Sequence, residues 1–250
     1  MKKLNIRTKR RFNMGTFLKA EWRRLIMANY DVDPEVLKPW LPKHTELDIW
    51  EGRCYVSLVG FLFVNTRLKG LKIPFHVNFE EMNLRFYVRY NDNGEWKRGV
   101  VFIKEIVPKR ALSLVANILY GEPYETMPMS HAVNTTDETI AVGYGWKKNG
   151  RWNTFEVTAE KEPVDMEESS EAEFITEHFW GYTKRKRGYT SEYGVEHPRW
   201  QLYPMLSYRI DVDFRATYGE HFAFLQELEP VSVFLTEGSE IVVKGGRQLR

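Results

Sequence analysis

Residues 55–64 form a segment in which both faces of a β-strand would be hydrophobic. They read Tyr-Val-Ser-Leu-Val-Gly-Phe-Leu-Phe-Val, so apolar side chains occupy both parities. Successive side chains of a strand point to opposite faces, and a strand with two apolar faces must be covered on both. The segment therefore predicts either a strand buried on both sides or a strand of a curved, barrel-like sheet.

Other strand and helix signals place this segment in a β-rich chain. Residues 82–90 alternate cleanly between apolar and polar side chains. Further strands are predicted at residues 100–107, 139–146, 152–159, 202–213 and 231–235, and short helices at 33–41, 111–119, 172–178 and 219–228. The 15 Phe, 13 Tyr and 8 Trp agree with this pattern, because aromatic residues favour pleated, half-buried surfaces. We predict an α+β, β-rich fold and not an alternating parallel α/β fold.

The clearest helix signal lies in residues 111–119. Pro108 stands at its entry, and Gly121 and Pro123 follow its end, as at the start and stop of many helices. Only Ser113 and Asn117 interrupt an otherwise apolar surface. A helix that is apolar nearly all round is usually buried, so we expect this one to pack against or inside a sheet.

Charge, cysteine content and hydropathy limit the partners and the compartment. Lys and Arg number 36 against 34 Asp and Glu, so the net charge of +2 gives no reason to expect a nucleic-acid partner. Cys54 is the only cysteine, which excludes an internal disulfide and favours a cytoplasmic location. No stretch approaches the ~20 apolar residues of a membrane span, so no membrane partner is expected. With no repeat or linker, we predict a flexible basic tail at residues 1–15 and a single domain at 16–250.

The sequence carries no local pattern for a metal or cofactor site. None of the six histidines lies three to five residues from another. Glycine-rich nucleotide motifs, HExxH motifs and paired-cysteine zinc motifs are also absent. We therefore expect no cofactor and no metal, and we expect Lys, Arg, Glu, Tyr and His side chains to carry any chemistry.

Two adjacent cations, Lys109 and Arg110, fall in the first turn of the predicted buried helix. The neighbouring cation, the positive helix end and burial would all lower the pKa of the lysine. A neutral lysine can form a Schiff base with a carbonyl compound. The same pair beside the helix amides would alternatively bind a carboxylate without reacting, or would point to water or pair with Glu105. The sequence alone leaves these three alternatives open.

Polar side chains of two further segments are candidates for the wall of a cavity. The polar face of strand 82–90 includes Arg85, and it would face either a cavity or solvent. Residues 177–182 and 192–200 repeat acid, imidazole and aromatic groups on both sides of a basic turn at 184–188. Paired across a hairpin they would converge into one wall suited to general acid–base work, or they would form a polar hairpin that caps the sheet.

Several stretches together resemble a known family. They are Trp22 through Pro42, Cys54-Tyr-Val-Ser-Leu, Asn78-Phe-Glu-Glu-Met-Asn-Leu-Arg-Phe-Tyr-Val-Arg, Arg98-Gly-Val-Val-Phe-Ile-Lys-Glu-Ile-Val-Pro-Lys, Tyr120-Gly-Glu-Pro-Tyr and Val195-Glu-His-Pro-Arg-Trp. In this order they resemble the YqjF-like family of unknown function, within the acetoacetate decarboxylase-like superfamily, over about residues 18–235. The resemblance implies a large, strongly curved sheet that closes into a double-barrel-like cone around a central cavity, with short helices.

The resemblance also implies roles for individual residues. Decarboxylases of the superfamily form a Schiff base on the first of two adjacent cations, and the similar segment here would make Lys109 the nucleophile and Arg110 its pKa-lowering neighbour. Arg23 would lie near the cavity floor. One cavity glutamate of the decarboxylases falls on Ser57 here, and a counterpart of their second glutamate is missing. The resemblance therefore supports the fold and a pocket more than a reaction.

Three functional hypotheses follow. The first is a cavity that binds a small carbonyl or carboxylate metabolite, with Lys109 and Arg110 at its positive end. Its candidate wall residues are Arg23, Glu80, Arg85, Tyr124, Glu177, His178, Tyr182, Glu192 and His197. The second is a Schiff-base lyase that acts on a β-keto acid through Lys109. The third is a non-catalytic sensor or assembly subunit, which predicts a homo-oligomer.

Overall fold

The computed structural model describes residues 15–119, 121–185 and 188–249. The predicted basic tail therefore lies, apart from Gly15, outside the described residues. The strands are β1 (Thr16–Asp31), β2 (Glu46–Leu47), β3 (Tyr55–Leu68), β4 (Phe79–Asp92), β5 (Glu95–Val107), β6 (Tyr124–Thr126), β7 (Met129–Thr135), β8 (Thr139–Lys148), β9 (Arg151–Glu160), β10 (Val164–Asp165), β11 (Trp180–Lys184), β12 (Thr190–Glu196), β13 (Gln201–Tyr203), β14 (Met205–Asp211) and β15 (Ser232–Gln248). The helices are α1 (Arg110–Leu119), α2 (Glu171–Thr176) and α3 (Phe214–Tyr218), with 3-10 helices at Pro34–Trp40 and Glu220–Glu227. The predicted α+β, β-rich class is confirmed.

The larger sheet curves into a ring of seven strands. Its order is β1-β3-β4-β5-β11-β12-β15, and β15 pairs back onto β1. The short strands β13 and β10 extend from β15, while β2 pairs with β4 and β6 with β5. The ring therefore encloses a space between its inward-facing side chains, as expected for a strongly curved sheet.

The ring is weakest where β5 meets β11, and this seam makes it a ring-like arrangement instead of a closed barrel. Only two residue pairs join the strands there, Trp180 with Gly99 and Gly181 with Val100. Farther along, β5 pairs in parallel with the short strand β6. Gly99 permits the close approach, because a Cβ at this position would lie 2.4 Å from the carbonyl oxygen of Trp180.

A second, four-stranded sheet explains why β3 is apolar on both faces. It has the antiparallel order β14-β9-β8-β7 and packs outside the ring. Val56 and Leu58 of β3 share a buried cluster with Tyr144 and Phe155 of the second sheet. The opposite parity of β3, Tyr55, Val59, Phe61 and Phe63, belongs to the cluster inside the ring.

Helix α1 differs from its prediction, because it is not buried on all sides. Leu114 is 61% exposed, and Ala111 and Asn117 are also exposed. Leu112 and Ser113 turn inward, and the Ser113 hydroxyl lies 2.7 Å from that of Thr126 on β6. The helix covers the ring with one face and does not plug it. None of the helices within the described ranges is long and apolar enough to cross a membrane.

Two strands differ in extent from the sequence pattern. The predicted strand 202–213 breaks at Pro204 into β13 and β14, which belong to different sheets. Proline has no N–H for a ladder hydrogen bond, so the chain changes sheets there. The predicted strand 231–235 is only the start of β15, which continues to Gln248.

Candidate functional site

A cavity of about 240 Å³ lies inside the ring. Side chains from β1, β3, β4, β5, β11 and β12 line it, together with residues near α1 and α2. Ile73 and His76 line the cavity from the loop of residues 69–78, which we call the mouth loop because Ile73 and its neighbours are exposed. Arg85, Thr176 and His178 are buried lining residues, and we call them the floor.

Three buried glutamic acids, Glu81, Glu105 and Glu122, line one side of the cavity, and we call them the acid cluster. The Tyr124 hydroxyl donates to Oε2 of Glu81 at 3.1 Å, and the Thr183 hydroxyl donates to Oε1 of Glu122 at 2.6 Å. Within the described part of the chain, Oε2 of Glu105 and Oε2 of Glu122 have no hydrogen-bond partner. These two oxygens are buried and unpaired among the residues that line the cavity.

The pKa values of the carboxyl groups in the acid cluster are raised to about neutral pH or above their usual range. Burial raises the pKa of Glu81 to about 7 and that of Glu122 to about 7. Burial also raises the pKa of Glu105 well above its usual value, and the nearby Glu122 and Glu81 carboxyls raise it further. A protonated carboxyl has one O–H donor, so the acid cluster can donate a hydrogen bond or a proton to a carbonyl oxygen.

Arg85 places a permanent positive charge at the floor of the cavity. It is 8% exposed, and its Nη2 lies 3.9 Å from the sulfur of Met27. Its Nε has no hydrogen-bond partner among the described residues. A buried guanidinium with unused donors is suited to a carboxylate, which accepts two parallel hydrogen bonds from it.

A carboxylate fixes the tautomer of His178. Nε2 of His178 lies 3.2 Å from Oδ2 of Asp48, which also accepts from Nε of Arg98 at 2.6 Å. Burial lowers the pKa of His178 to about 4, with Arg98 and Arg85 adding to the decrease. The pKa of Asp48 is lowered although burial opposes this, because His178 and Arg98 stabilise its charge. Nη2 of Arg98 lies 3.4 Å from the same Nε2, farther away than the carboxylate oxygen. The shorter contact to Asp48 assigns the proton of the neutral imidazole to Nε2 and the lone pair to Nδ1.

His197 is the second neutral imidazole of the cavity. It stacks on Trp200, with ring centroids 4.4 Å apart. Its Nδ1 lies 2.8 Å from the carbonyl oxygen of Pro198, and burial lowers the pKa of the ring to about 4. Because a carbonyl only accepts, Nδ1 carries the proton and Nε2 the lone pair.

Aromatic rings line the cavity next to the acid cluster, and we call them the aromatic wall. Trp22 of β1 lies 5.3 Å from Phe61 and 6.3 Å from Trp200, measured between ring centroids. Phe63 stacks on Phe79 at 4.7 Å, next to the mouth loop. The aromatic wall comprises Trp22, Phe61, Phe63, Phe79 and Trp200.

The structure brings four of the sequence-predicted wall residues together in the cavity. They are Arg85, Tyr124, His178 and His197. The polar face of β4 accordingly turns inward and not toward solvent: Asn83, Arg85 and Tyr87 are all buried. The ring of His178 reaches the cavity from just before the start of β11, and the ring of His197 from just after the end of β12.

The other predicted wall residues lie elsewhere, because the parity of their strands turns them outward. Glu80 contacts His131 at 2.6 Å, and Arg23 pairs with Glu21 at 2.6 Å. The Tyr182 hydroxyl donates to Glu192 at 3.1 Å on the outer side of the β11–β12 hairpin.

Ion pairs hold two of these outer positions. Glu192 is bound there by Arg247 at 2.7 Å. Glu177, at the end of α2, lies 3.5 Å from Arg199.

Lys109 and Arg110 are not among the residues that line the cavity in the described chain. The Lys109 ammonium donates to the carbonyl oxygen of Phe75 in the mouth loop. Arg110 is exposed at the start of α1. Val107 of β5 and Ala111 and Leu112 of α1 line the cavity on either side of the two cations.

The acid cluster and Asp48 were missed as site residues at the sequence level. Glu81 has a signal, since it shares the parity of Asn83 and Arg85 on β4. Glu105 was considered only as a surface partner of the two cations. Glu122 and Asp48 lie outside long strands, and no periodic pattern identifies them. Within the described ranges, no cluster of three or more His, Cys, Asp or Glu side chains is arranged to hold a metal ion.

Comparison with known proteins places the chain in a family. The sequence profile of DUF2071, described as an uncharacterized conserved protein, matches residues 19–240. The chain belongs to the DUF2071 family. A relative, the uncharacterized protein YqjF of Bacillus subtilis (strain 168), is 28% identical over 197 residues, which cover 74% of each chain. The resemblance to YqjF-like proteins is therefore confirmed.

Solved structures with the acetoacetate decarboxylase-like fold are similar to this family member over most of its length. An acetoacetate decarboxylase-like enzyme from Sphingomonas wittichii RW1 has a TM-score of 0.64 and 15% identity, covering 94% of both chains. Acetoacetate decarboxylase from Legionella pneumophila has a TM-score of 0.62 and 13% identity, covering 99% of this chain and 93% of that one. The enduracididine biosynthesis enzyme MppR, complexed with pyruvate, has a TM-score of 0.64 and 12% identity, covering 96% and 92%. At these identities the likeness is one of fold.

Proposed function

We propose that the cavity binds a small metabolite with a carboxylate and a carbonyl group. The observation that carries this proposal is Arg85, a buried cation at the floor whose Nε has no partner among the described residues. A ligand carboxylate would satisfy the unused guanidinium donors and neutralise the buried charge. This site replaces the Lys109–Arg110 pair as the positive end of the proposed cavity.

The acid cluster suits the carbonyl end of the same ligand. Glu105 of β5 pairs with Asn83 of β4, and Asn83 lies two residues before Arg85 along that strand. In its neutral form Glu105 would donate a hydrogen bond to a carbonyl oxygen, and the bond would strengthen as negative charge develops there. His178, with its lone pair on Nδ1, would complete a general acid and base in one cavity. The pyruvate complex of the neighbour MppR supports a 2-oxo acid as ligand class.

A Schiff-base lyase remains the second candidate function. The decarboxylase neighbours favour it, and Lys109 lies next to the mouth loop through its bond to Phe75. Lys109 would have to release that carbonyl and turn past His76 to reach a bound ligand. No lysine is present among the lining residues of the described chain, so binding without a Schiff base is the better-supported function.

Calorimetry with pyruvate and acetoacetate tests the binding proposal. Arg85→Met should weaken binding at least tenfold, because it removes the ligand's cationic partner. Arg89→Met is the matched control. Arg89 lies on the same strand but pairs with Glu46 at 2.6 Å outside the cavity, so the affinity of the Arg89→Met variant for the two ligands should equal that of the wild type. Equal affinities of the wild type and Arg85→Met would contradict the proposal.

Borohydride trapping separates the two candidate functions. If a Schiff base forms, reduction in the presence of saturating acetoacetate adds the ligand mass to the peptide that contains Lys109. The same treatment of Lys109→Arg supplies the control. Binding without a trapped adduct supports the non-covalent function, whereas an adduct at Lys109 supports the lyase.

The cellular compartment and the oligomeric state are proposals as well. The buried, unpaired Cys54 supports a reducing compartment, and we propose the cytoplasm. The sensor or assembly-subunit hypothesis requires a homo-oligomer, so a monomer in light scattering would count against it.

A further inference from the structure

The cavity has a second, apolar half that the head group of a small oxo acid leaves unused. The cavity measures about 240 Å³, whereas about 10–15 Å³ on the same measure holds one water molecule. The cavity is therefore larger than the head group of a three-carbon oxo acid requires, and the lining of the remaining space specifies the chemistry of a further part of the ligand.

The strand register places the aromatic wall directly beside the acid cluster. Phe61 of β3 pairs with Glu81 of β4, and Phe63 pairs with Phe79. Neighbouring strands lie ~4.8 Å apart, so a group that contacts Glu81 also reaches the ring of Phe61. One ligand can therefore contact both halves at once.

The order of residues along β4 gives the direction of the ligand. From the mouth loop inward, the lining residues of β4 are Phe79, Glu81, Asn83 and Arg85. A carboxylate at Arg85 and a carbonyl near Glu105 would leave the remainder of the molecule pointing toward Phe79 and the mouth. That remainder would lie against the rings of Phe63 and Trp22, which pack edge to face with their centroids 6.0 Å apart.

Two observations indicate an aromatic ligand group in this half. The wall consists of ring faces and edges, which pack favourably on another ring in offset or edge-on geometry. Nε1 of Trp22 is buried and has no hydrogen-bond partner in the described part of the chain, whereas Nε1 of Trp200 donates to Ser239 at 2.8 Å. The free indole N–H lies beside the cavity, where it can point at the π face or a polar atom of a ligand.

The mouth loop exposes three large apolar side chains between its two lysines and its polar residues. Leu71 is 69% exposed and Phe75 is 87% exposed, while Ile73 lies at the entrance to the cavity. These side chains continue the aromatic wall outward to solvent. An apolar ligand tail would meet hydrophobic side chains along the whole path to Phe79.

We propose that the ligand of this cavity is an aryl-substituted 2-oxo acid, with its carboxylate at Arg85, its carbonyl at the acid cluster and its ring on the aromatic wall. The proposal rests on the function proposed above, which requires only the head group. It adds the class of the tail, and the two can be tested separately.

Phenylpyruvate, pyruvate and 2-oxooctanoate are the probes that test it by calorimetry. Phenylpyruvate should bind at least tenfold more tightly than pyruvate and several-fold more tightly than the aliphatic 2-oxooctanoate. Equal affinity for phenylpyruvate and pyruvate would overturn the aryl tail and leave the proposed function intact. Tighter binding of 2-oxooctanoate would overturn the aromatic class in favour of an alkyl chain. No binding of any probe would defeat both proposals.

Substitution of a ring by a branched aliphatic side chain locates the tail. Phe63→Leu should lower the preference for phenylpyruvate over pyruvate to less than threefold, with the affinity for pyruvate unchanged. Phe79→Leu gives the same test at a neighbouring position if Phe63→Leu does not fold. Phe155→Leu is the matched control, because Phe155 is buried under the second sheet and does not line the cavity. An unchanged preference in both Phe63→Leu and Phe79→Leu would overturn the proposal.

Discussion

The hydrogen-bond donors to the acid cluster are mainly uncharged. Asn83 and Tyr124 donate to Glu81, and Thr183 donates to Glu122. An ionised carboxylate deep in a protein needs a cation or several donors to offset its lost hydration. With neutral donors, burial dominates and raises the pKa of each carboxyl group. The cluster is thus a set of buried acids and not a set of salt bridges.

Stability should accordingly fall as pH rises above neutral. Burial raises the pKa of Glu105 in the folded protein above its pKa in the unfolded chain. The stability that the protonated Glu105 contributes is therefore complete below the unfolded-state pKa and is lost as the pH rises through the folded-state pKa. Each such carboxyl lowers the free energy of unfolding by up to about 1.4 kcal/mol per pH unit within this window. In Glu105→Gln the decline should be smaller, and the variant should be more stable than wild type at pH 9.

Urea unfolding from pH 7 to 9 measures this difference. The lower limit of pH 7 excludes the titration of His178 and His197. Burial lowers the pKa of each to about 4, so the stability that these neutral imidazoles contribute is lost only as the pH falls below about 6.5. Glu138→Gln, at an exposed position, should leave the wild-type pH dependence in place. Parallel curves for Glu105→Gln and wild type would mean that Glu105 is ionised in the folded protein.

The imidazoles of His178 and His197 should be opposite tautomers. His178 donates from Nε2 to Asp48, and His197 donates from Nδ1 to the carbonyl of Pro198. Nitrogen-15 chemical shifts of the rings at pH 7 should therefore show a protonated Nε2 in His178 and a protonated Nδ1 in His197. Asp48→Asn should mix the tautomers of His178 only. A shift of both rings, or of neither, would contradict the assigned hydrogen bonds.

For individual residues, the sequence predicted that the polar face of β4 is a candidate cavity wall, but it did not predict most of the other buried polar residues around the cavity. Arg85 follows from period-two alternation, and Glu81 would follow from the same parity. Glu122 reaches the cavity from the segment between α1 and β6, and Asp48 from the segment after β2. Both are positioned by tertiary contacts, namely Thr183 for Glu122 and His178 for Asp48. Local sequence patterns carry no information about such partners.

Among the elements, the seam between β5 and β11 decides the shape of the ring. β11 leaves β5 after two residue pairs, and the uncovered length of β5 is taken by β6. Glu105 pairs with Tyr124 across that parallel contact, so the acid cluster forms where the ring is incomplete. The short pairing at the seam and the position of the cluster therefore have the same structural cause.

The close approach at the seam requires glycine at position 99. Gly99→Ala would place a Cβ 2.4 Å from the Trp180 carbonyl oxygen and 2.7 Å from the Tyr182 ring. We expect a loss of about 1–3 kcal/mol or more in the free energy of unfolding, because the obstacle includes backbone. Gly143→Ala is the control: its Cβ would meet the flexible Glu156 side chain at 3.2 Å. Equal unfolding midpoints for the two variants in urea would show that β11 can move away from β5.

Elements were predictable where their signals are local. The hairpin of β8 and β9 follows from Asn149-Gly150, which adopt φ values of 50° and 84°. β15 was predicted at its start only, because most of its residues are specified by pairing with β1, β12 and β13. The apolar sequence of α1 favoured a buried helix, yet Ala111, Leu114 and Asn117 are exposed. Periodicity gives the presence of an apolar surface but not the layer that covers it.

In the whole molecule, β3 joins the ring to the second sheet. Its even-numbered side chains Val56 and Leu58 pack with Tyr144 and Phe155, and its odd-numbered ones face the cavity. The Tyr144 hydroxyl also donates to the backbone carbonyl of Arg24 on β1 at 2.9 Å. The two sheets therefore share one buried layer of side chains, and unfolding of either sheet would expose the apolar face of the other.

The predicted single domain at residues 16–250 should consequently unfold in one cooperative step. Phe155→Ala should lower the free energy of unfolding by about 3–5 kcal/mol, because it leaves a cavity in the shared layer. Phe75→Ala, at an exposed position of the mouth loop, should change it by less than about 0.5 kcal/mol. Far-UV circular dichroism follows both sheets, while the fluorescence of a bound cavity probe follows only the ring. If Phe155→Ala moves both transitions to the same lower urea concentration, the sheets form one unit; if the ring transition stays in place, the chain has two.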